Sequence, residues 1–295
     1  MSHYEMEYGR MITLIFTCFN RKEKTIRCVK SLIEGNSIRD RVHFIVVDDG
    51  STDGTEEALK EYFGSLSDKN ATLEVIRGDG NLFYSGGMRL GIERAKERVA
   101  QIGANGRQGD PESRVILLND DVAFDIGILD RVLELSNDRV YVGPMRDEEG
   151  NFSYGGTRYR GRSIHYDMIG PEEKEHFCDT FNANFVVIPE RIFQKAHNID
   201  PAYIHSLGDF DYGLQLRKMG CIIDVLPFYA GTCPDNPITG TWADRSLSRM
   251  ERFRKKESPK GAPFGPWFHF LLKNFGLGKA LWHSLTPYLR ILIGK

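Results

Sequence analysis

The sequence predicts an α/β fold with a mainly parallel central sheet in its first half, a mixed second half and a helical C-terminal tail. Three observations carry this. Short apolar, β-branched runs alternate with helical periodicity up to about residue 125, the alternation breaks after Gly143, and from Pro259 onward the chain carries aromatics and lysines but no acid.

The first run, Met11 to Thr17 (MITLIFT), stops at polar Asn20-Arg21, as a buried strand entering a functional loop does. Ile26, Val29, Leu32 and Ile33 then recur at helical spacing before a Gly35-Asn36 stop, and Val42 to Val47 supplies the second strand. A helix over about Thr55 to Phe63 follows, then a strand near Leu73 to Ile76. Next come a helix with Met88, Ile92, Ala95 and Val99 on one face, and a strand at Val115 to Leu118. Strand–helix alternation implies parallel pairing, with ligands bound beyond the carboxyl ends of the strands. The second half offers the glycine- and arginine-rich GGTRYRGR, a strand at Phe185 to Ile188, a helix over Asp211 to Met219 and a strand at Ile222 to Leu226.

At 295 residues and 41% hydrophobic content, the chain has material for one large core with an appendage or for two modest domains. A formal charge of -2 removes the electrostatic drive toward nucleic acid. Five scattered cysteines form no CxxC pair, the first residues MSHYEMEYGR are polar, and no run of eighteen apolar residues occurs, which together predict a cytoplasmic protein.

Acids gather at the predicted strand ends. Asp48-Asp49-Gly50-Ser51-Thr52-Asp53-Gly54 follows one apolar strand, where carboxylates accept hydrogen bonds from a base or ribose; the same composition also builds an ordinary turn. Asn119-Asp120-Asp121 follows another, a donor set suited first to a hard divalent cation on a diphosphate and second to capping a helix beginning near Ile126. Asp209 and Asp211 precede a helix, as a general base would or as N-terminal acids do. Gly78 to Gly87 has no GxGxxG spacing, and the first strand ends in TCFNR rather than glycines, which counts against a dinucleotide-binding Rossmann enzyme.

Taken together, TCFNR, FIVVDDGSTDGT, GNLFYSGGMRLGI, VILLNDDV, NANFVVIP and GDFDYGLQLRKMG resemble, in order from Ile12 to Leu226, the family 2 glycosyltransferases of the GT-A fold. They resemble especially the bacterial rhamnosyltransferase-like branch that builds surface polysaccharides. The resemblance implies a GT-A domain over residues 1–250. Its Rossmann-like nucleotide-binding half would span about 11–125 and its acceptor half about 126–250, followed by a helical, basic and aromatic extension over 251–295. It further implies that Thr17, Asn20, Arg21, Asp48, Asp49, Asn81, Gly86, Gly87, Asn119 and Asp120 border the nucleotide-sugar, that Asp121 binds Mn2+ or Mg2+, and that Asp209 is the catalytic base, with Asp211 shaping the site. Two departures stand out. After Leu226 the chain reads PFYAGTCPDN, where many relatives carry a metal-binding histidine, and Gly208 replaces the first acid of the usual pair.

The implied reaction is inverting transfer from a UDP- or dTDP-sugar to a glycan or lipid-linked acceptor. Arg245, Arg249 and Arg252 are candidate diphosphate contacts, and Trp242 is a stacking platform or a core residue. Residues 259–295 are suited to an anionic membrane surface, at the inner face of the cell membrane, or to packing on the catalytic domain or on a second subunit of a homodimer. A nucleotidyltransferase would need a glycine-rich, basic loop after the first strand, which TCFNRKEK lacks; a sugar-nucleotide-binding scaffold would lack the NDD or GDFD acids, and both are intact.

Overall fold

The computed structural model describes residues 10–36, 41–67, 70–104, 110–234 and 237–294. Its first half alternates β1 (Met11–Cys18), α1 (Lys22–Glu34), β2 (Arg41–Asp48), α2 (Thr55–Ser65), β3 (Ala71–Arg77), α3 (Phe83–Ala104) and β4 (Arg114–Leu118). Pairing of β1 with β2, β1 with β4 and β2 with β3 is parallel. The turns after all four strands therefore open at one edge of the sheet. That edge receives TCFNR, DDGSTDG, the Gly78–Leu82 loop and the NDD turn.

β5 (Ala123–Phe124), α4 (Ile128–Leu133), β6 (Val140–Val142), β7 (Met145–Arg146), β8 (Phe152–Tyr154), β9 (Gly156–Tyr159), β10 (Tyr166–Ile169), β11 (Thr180–Phe181) and β12 (Phe185–Pro189) continue the chain. They are followed by α5 (Glu190–Lys195), α6 (Gly208–Lys218), β13 (Ile223–Val225) and β14 (Gly231–Thr232), then α7 (Arg249–Lys256), α8 (Phe264–Phe275) and α9 (Leu277–Leu292). Among the described residues the main sheet runs β13-β6-β12-β4-β1-β2-β3, with β12 antiparallel to β4 and β6. Two small sheets, β10-β9-β11 and β5-β14-β7-β8, complete the mixed half. This is the α/β architecture with a mainly parallel central sheet that the sequence predicts, tail included.

Both faces of the sheet are buried, which is why β1, β2, β4 and β12 read as continuous apolar runs rather than alternating ones. Phe16, Phe44 and Phe185 on one side are fully buried, as are Ile15, Ile45 and Val186 on the other. Each such side chain contributes about 1.5–3 kcal/mol on leaving water. Glycine lets α3 approach the sheet closely, since a Cβ at Gly91 would stand 2.6 Å from Ile15 Cγ2. Phe270, Leu271 and Ala280 of the tail join the same buried cluster as Phe181 and Tyr212, so the compositional border near residue 250 is not a gap in packing.

Two boundaries differ from the sequence reading. The helix expected from Asp211 begins at Gly208, because Leu207 turns the chain with a left-handed φ of 76°. Asp209 and Asp211 thus both lie in its first turn. The helix expected near Ile126 begins at Ile128 and is preceded by Gly127 at φ 79°, so the NDD turn does not cap it.

Candidate active site

At the end of β2 the two adjacent acids have different fates. Asp49 is spent on the backbone: its Oδ1 accepts from Gly80 N at 2.9 Å and Leu82 N at 3.2 Å, and its Oδ2 from Phe83 N at 2.9 Å. It thereby fixes the entry to α3, where Phe83 has φ 52°. Asp48 is equally buried, with Oδ1 accepting from Ser51 N at 2.8 Å and Oδ2 left without a partner. An unpaired buried carboxylate oxygen is costly, and a ligand donor such as a base N–H offsets it. Asp53 holds the turn itself, accepting from Lys22 N and Thr55 N.

Asn20 has φ 50° and ties the first two turns together: its amide donates to Ser51 Oγ at 2.9 Å and its Oδ1 accepts from Thr52 N at 2.8 Å. Thr17 Oγ1 donates to Val47 O at 3.0 Å, and a Cβ on Gly87 would fall 2.3 Å from that same oxygen. Thr17 and Gly87 therefore touch each other at the α3–β1 contact. Gly86 lies beside them, and Asn81 is exposed at the loop tip with its amide on Asp79 Oδ1.

In the NDD turn, Asp120 is buried and takes Thr25 Oγ1 at 3.0 Å and Arg21 Nη1 at 3.1 Å. Burial raises its pKa to about 6, against the pull of Arg21. Asp121 is 28% exposed and receives the same Arg21 Nη1 on Oδ2 at 3.0 Å, while its Oδ1 has no hydrogen-bond partner among the described residues. No group of three or more His, Cys, Asp or Glu side chains able to hold a metal occurs among the described residues. The donor set nonetheless fits a magnesium-type ion, which uses one or two carboxylates and completes its shell with phosphate oxygens and water. The segment after Leu226 brings no imidazole to this turn; Ala230 there exchanges backbone bonds with Pro144 and Asp125.

Asp209 is joined to the NDD turn through Ala183-Asn184. Asn184 O accepts from Asn119 N at 3.4 Å, Asn184 Oδ1 accepts from Asn119 Nδ2, and the preceding Ala183 N donates to Asp209 Oδ2 at 3.3 Å. Asp209 Oδ1 takes Phe210 N at 2.8 Å. Close surroundings raise its pKa to about 6, with those two amides pulling the other way. Tyr84 feels the charge of both Asp209 and Asp121, and its phenol is held well above the usual range chiefly by burial. Gly208 has a packing reason: a Cβ there would meet Ser85 Oγ at 2.4 Å and Ile199 Cγ2 at 3.1 Å, so a larger residue would displace the Ser85 side chain.

Asp211 serves a different purpose. It is 1% exposed, and Lys273 Nζ donates to its Oδ2 at 2.7 Å and Asn274 Nδ2 to its Oδ1 at 2.9 Å, both from α8. The acid pins the tail to the helix that carries Asp209. Arg249 is the exposed first residue of α7, and Trp242 lines a separate cavity of about 450 Å³ with Arg245, Arg252 and Arg290. The acid-bearing turns contribute nothing to that cavity's lining.

Several neighbours of Asp209 carry no functional signal in the sequence. Tyr166, 46% exposed, packs 6.0 Å from Phe210 and 5.9 Å from Tyr159, forming an aromatic strip beside Asp209. His205 sits against Tyr84 and Phe83 at 6.2 and 6.4 Å, with Nδ1 buried and unpaired and its pKa lowered to about 4 by burial and by Lys260 and Arg21. The NANF segment was visible in the sequence as a motif; the aromatics carried no periodic signal that set them apart from core.

Residues 13–198 match the family described as Glycosyl transferase family 2. No curated protein matches the chain. Among solved structures, the mannosyltransferase PcManGT from Pyrobaculum calidifontis, in complex with GDP-Man and Mn2+, is similar with a TM-score of 0.56 at 12% identity, covering 97% of this chain and 74% of that one. S. aureus TarS 1-349 in complex with UDP is similar with a TM-score of 0.54 at 12% identity, covering 96% and 81%. At such identity both speak to the fold.

Proposed function

This chain belongs to glycosyl transferase family 2, and from that premise we propose that it transfers a sugar, with inversion, from a nucleoside-diphosphate sugar to a hydroxyl of a glycan or lipid-linked acceptor. The observation that carries the reading is the hydrogen-bonded link from Asn119 through Asn184 and Ala183 to Asp209, which couples the NDD turn to one carboxylate of raised pKa. The acceptor oxygen forms its bond to the anomeric carbon as the bond from that carbon to the diphosphate breaks; the hydroxyl proton goes to Asp209 and the electron pair leaves with the diphosphate. A pKa near 6 leaves Asp209 ionised at neutral pH yet basic enough to accept a proton. In this reading the unpaired Asp48 Oδ2 accepts from the base or ribose, while Asp49 and Asn20 hold the turn in shape.

Asp121 would hold Mn2+ or Mg2+, which when bound supplies positive charge to the departing diphosphate. Arg21, already shared by Asp120 and Asp121, adds a second positive group at the same turn. The Tyr166–Phe210 strip offers an apolar platform for the acceptor's sugar ring next to the base. The order of the six motifs supports the bacterial rhamnosyltransferase-like branch, with a UDP- or dTDP-linked donor, a role in surface polysaccharide synthesis and a cytoplasmic workplace at the inner membrane face.

The test is a panel of nucleotide sugars, with and without Mn2+ or Mg2+, on the wild type and on Asp121→Ala. Metal-dependent release of one nucleoside diphosphate, falling by about 100- to 1000-fold in the variant, is expected. Failure to bind any member would turn the assignment toward a scaffold.

A further inference from the structure

Packing on the protein explains only one side of α9. Ala280, Ser284, Pro287 and Ile291 face inward and are buried. Leu277, Leu281, Trp282, Leu285, Leu289 and Leu292 are 49–65% exposed. At 3.6 residues per turn these outward side chains cover roughly 140° of arc, well beyond the scattered apolar residues normal for a protein surface. Lys279 and Arg290 fall along one border of that arc, and no acid occurs between residues 259 and 294. Glu257, the nearest acid before that stretch, is engaged by the Tyr288 hydroxyl and by Phe264 N.

We propose that the outward face of α9 docks on an anionic membrane surface, lying in the interface plane with Lys279 and Arg290 among the headgroups. No helix among the described residues is long and apolar enough to cross a membrane, so an in-plane seat is what α9 can occupy. The charge pattern selects lipid over a second copy of the chain: two-fold pairing of this face gives the tail's lysines and arginines no acid of the tail to meet. Anionic headgroups supply that charge.

The seat has a mechanical consequence. Trp267 Nε1 donates to His283 O at 3.1 Å, joining α8 to α9, and Lys273 and Asn274 clamp α8 to Asp211 on α6. A docked α9 thereby holds the Asp209 helix in a fixed relation to the membrane, which suits the lipid-linked acceptor of the proposed function; only this purpose rests on that reading.

The experiment is flotation of the full chain with phosphatidylcholine vesicles, with and without phosphatidylglycerol, together with tryptophan emission. Anionic vesicles are expected to bind about tenfold more protein and to blue-shift the emission, and the double variant Trp282→Glu/Leu285→Glu to lose about tenfold in binding. Its melting temperature and donor hydrolysis are expected to match the wild type. Equal binding by wild type and variant overturns the proposal, as does a wild-type dimer in sedimentation velocity that the variant dissolves without any vesicle binding. Donor hydrolysis on the same preparations separates the readings: no hydrolysis with intact vesicle binding breaks the transferase assignment and leaves the docking face standing.

Discussion

The Asp48-Asp49 turn and the Asp209-Phe210-Asp211 turn each carry two acids close in sequence, and each consumes one and leaves the other. Asp49 gives both oxygens to three backbone amides, whereas Asp48 keeps Oδ2 unpaired. Asp211 gives both oxygens to Lys273 and Asn274, whereas Asp209 meets backbone amides and has its pKa raised to about 6 by burial. An acid-rich motif is thus a mixture of scaffolding and candidate chemistry. Asp48 is set apart by an unpaired oxygen, and Asp209 by meeting backbone amides where Asp211 meets a lysine.

The sharpest way to break the comparison is Asp209→Asn. Transfer is expected to fall by about 10²- to 10⁴-fold with the donor Kd unchanged; near-normal turnover would remove Asp209 as the base. In the wild type, kcat is expected to rise with pH through about 6 and then level off, because the base must be ionised. The sign for stability is opposite. The folded state keeps this proton up to about pH 6 while the unfolded state releases it near pH 4, so stability attached to Asp209 falls across that window. Asn should therefore stabilise the fold at pH 7 by about 1–3 kcal/mol, with the gain gone by pH 4, as read by denaturant titration at the two pH values.

The structural partners should behave inversely. Asp49→Ala orphans three amides and is expected to cost about 2–4 kcal/mol of stability, while Asp48→Ala weakens donor binding with a smaller change in melting. Asp211→Ala leaves Lys273 with Asp200 alone and should cost about 2 kcal/mol, with turnover per folded molecule nearly unchanged. A large kcat loss without destabilisation would return Asp211 to the chemistry. The smallest effect is assigned to Tyr166→Ala, which should raise the acceptor KM by about 3- to 10-fold and leave the donor KM alone in steady-state kinetics.

Much of this was legible from residues alone because it is local. Apolar runs and helical spacing marked β1, β2, β4, β12, α1 and α3, since a sheet covered on both faces demands such runs. The acids at strand ends stood out because four parallel strands deliver their turns to one edge. What could not be read was the division of labour within each acid pair, because it depends on partners far along the chain: Gly80 to Phe83 for Asp49, and Lys273 with Asn274 for Asp211.

The sequence by itself determined the α/β class, the family resemblance and the short list of acids, because periodicity and motif order survive without coordinates. Tertiary structure alone decided that Ala183-Asn184 links Asp209 to the NDD turn, that Gly208 packs tightly against Ser85, and that α9 buries one side and exposes an apolar arc on the other. Each is a contact or an exposure between residues distant in sequence, and only the folded chain sets those.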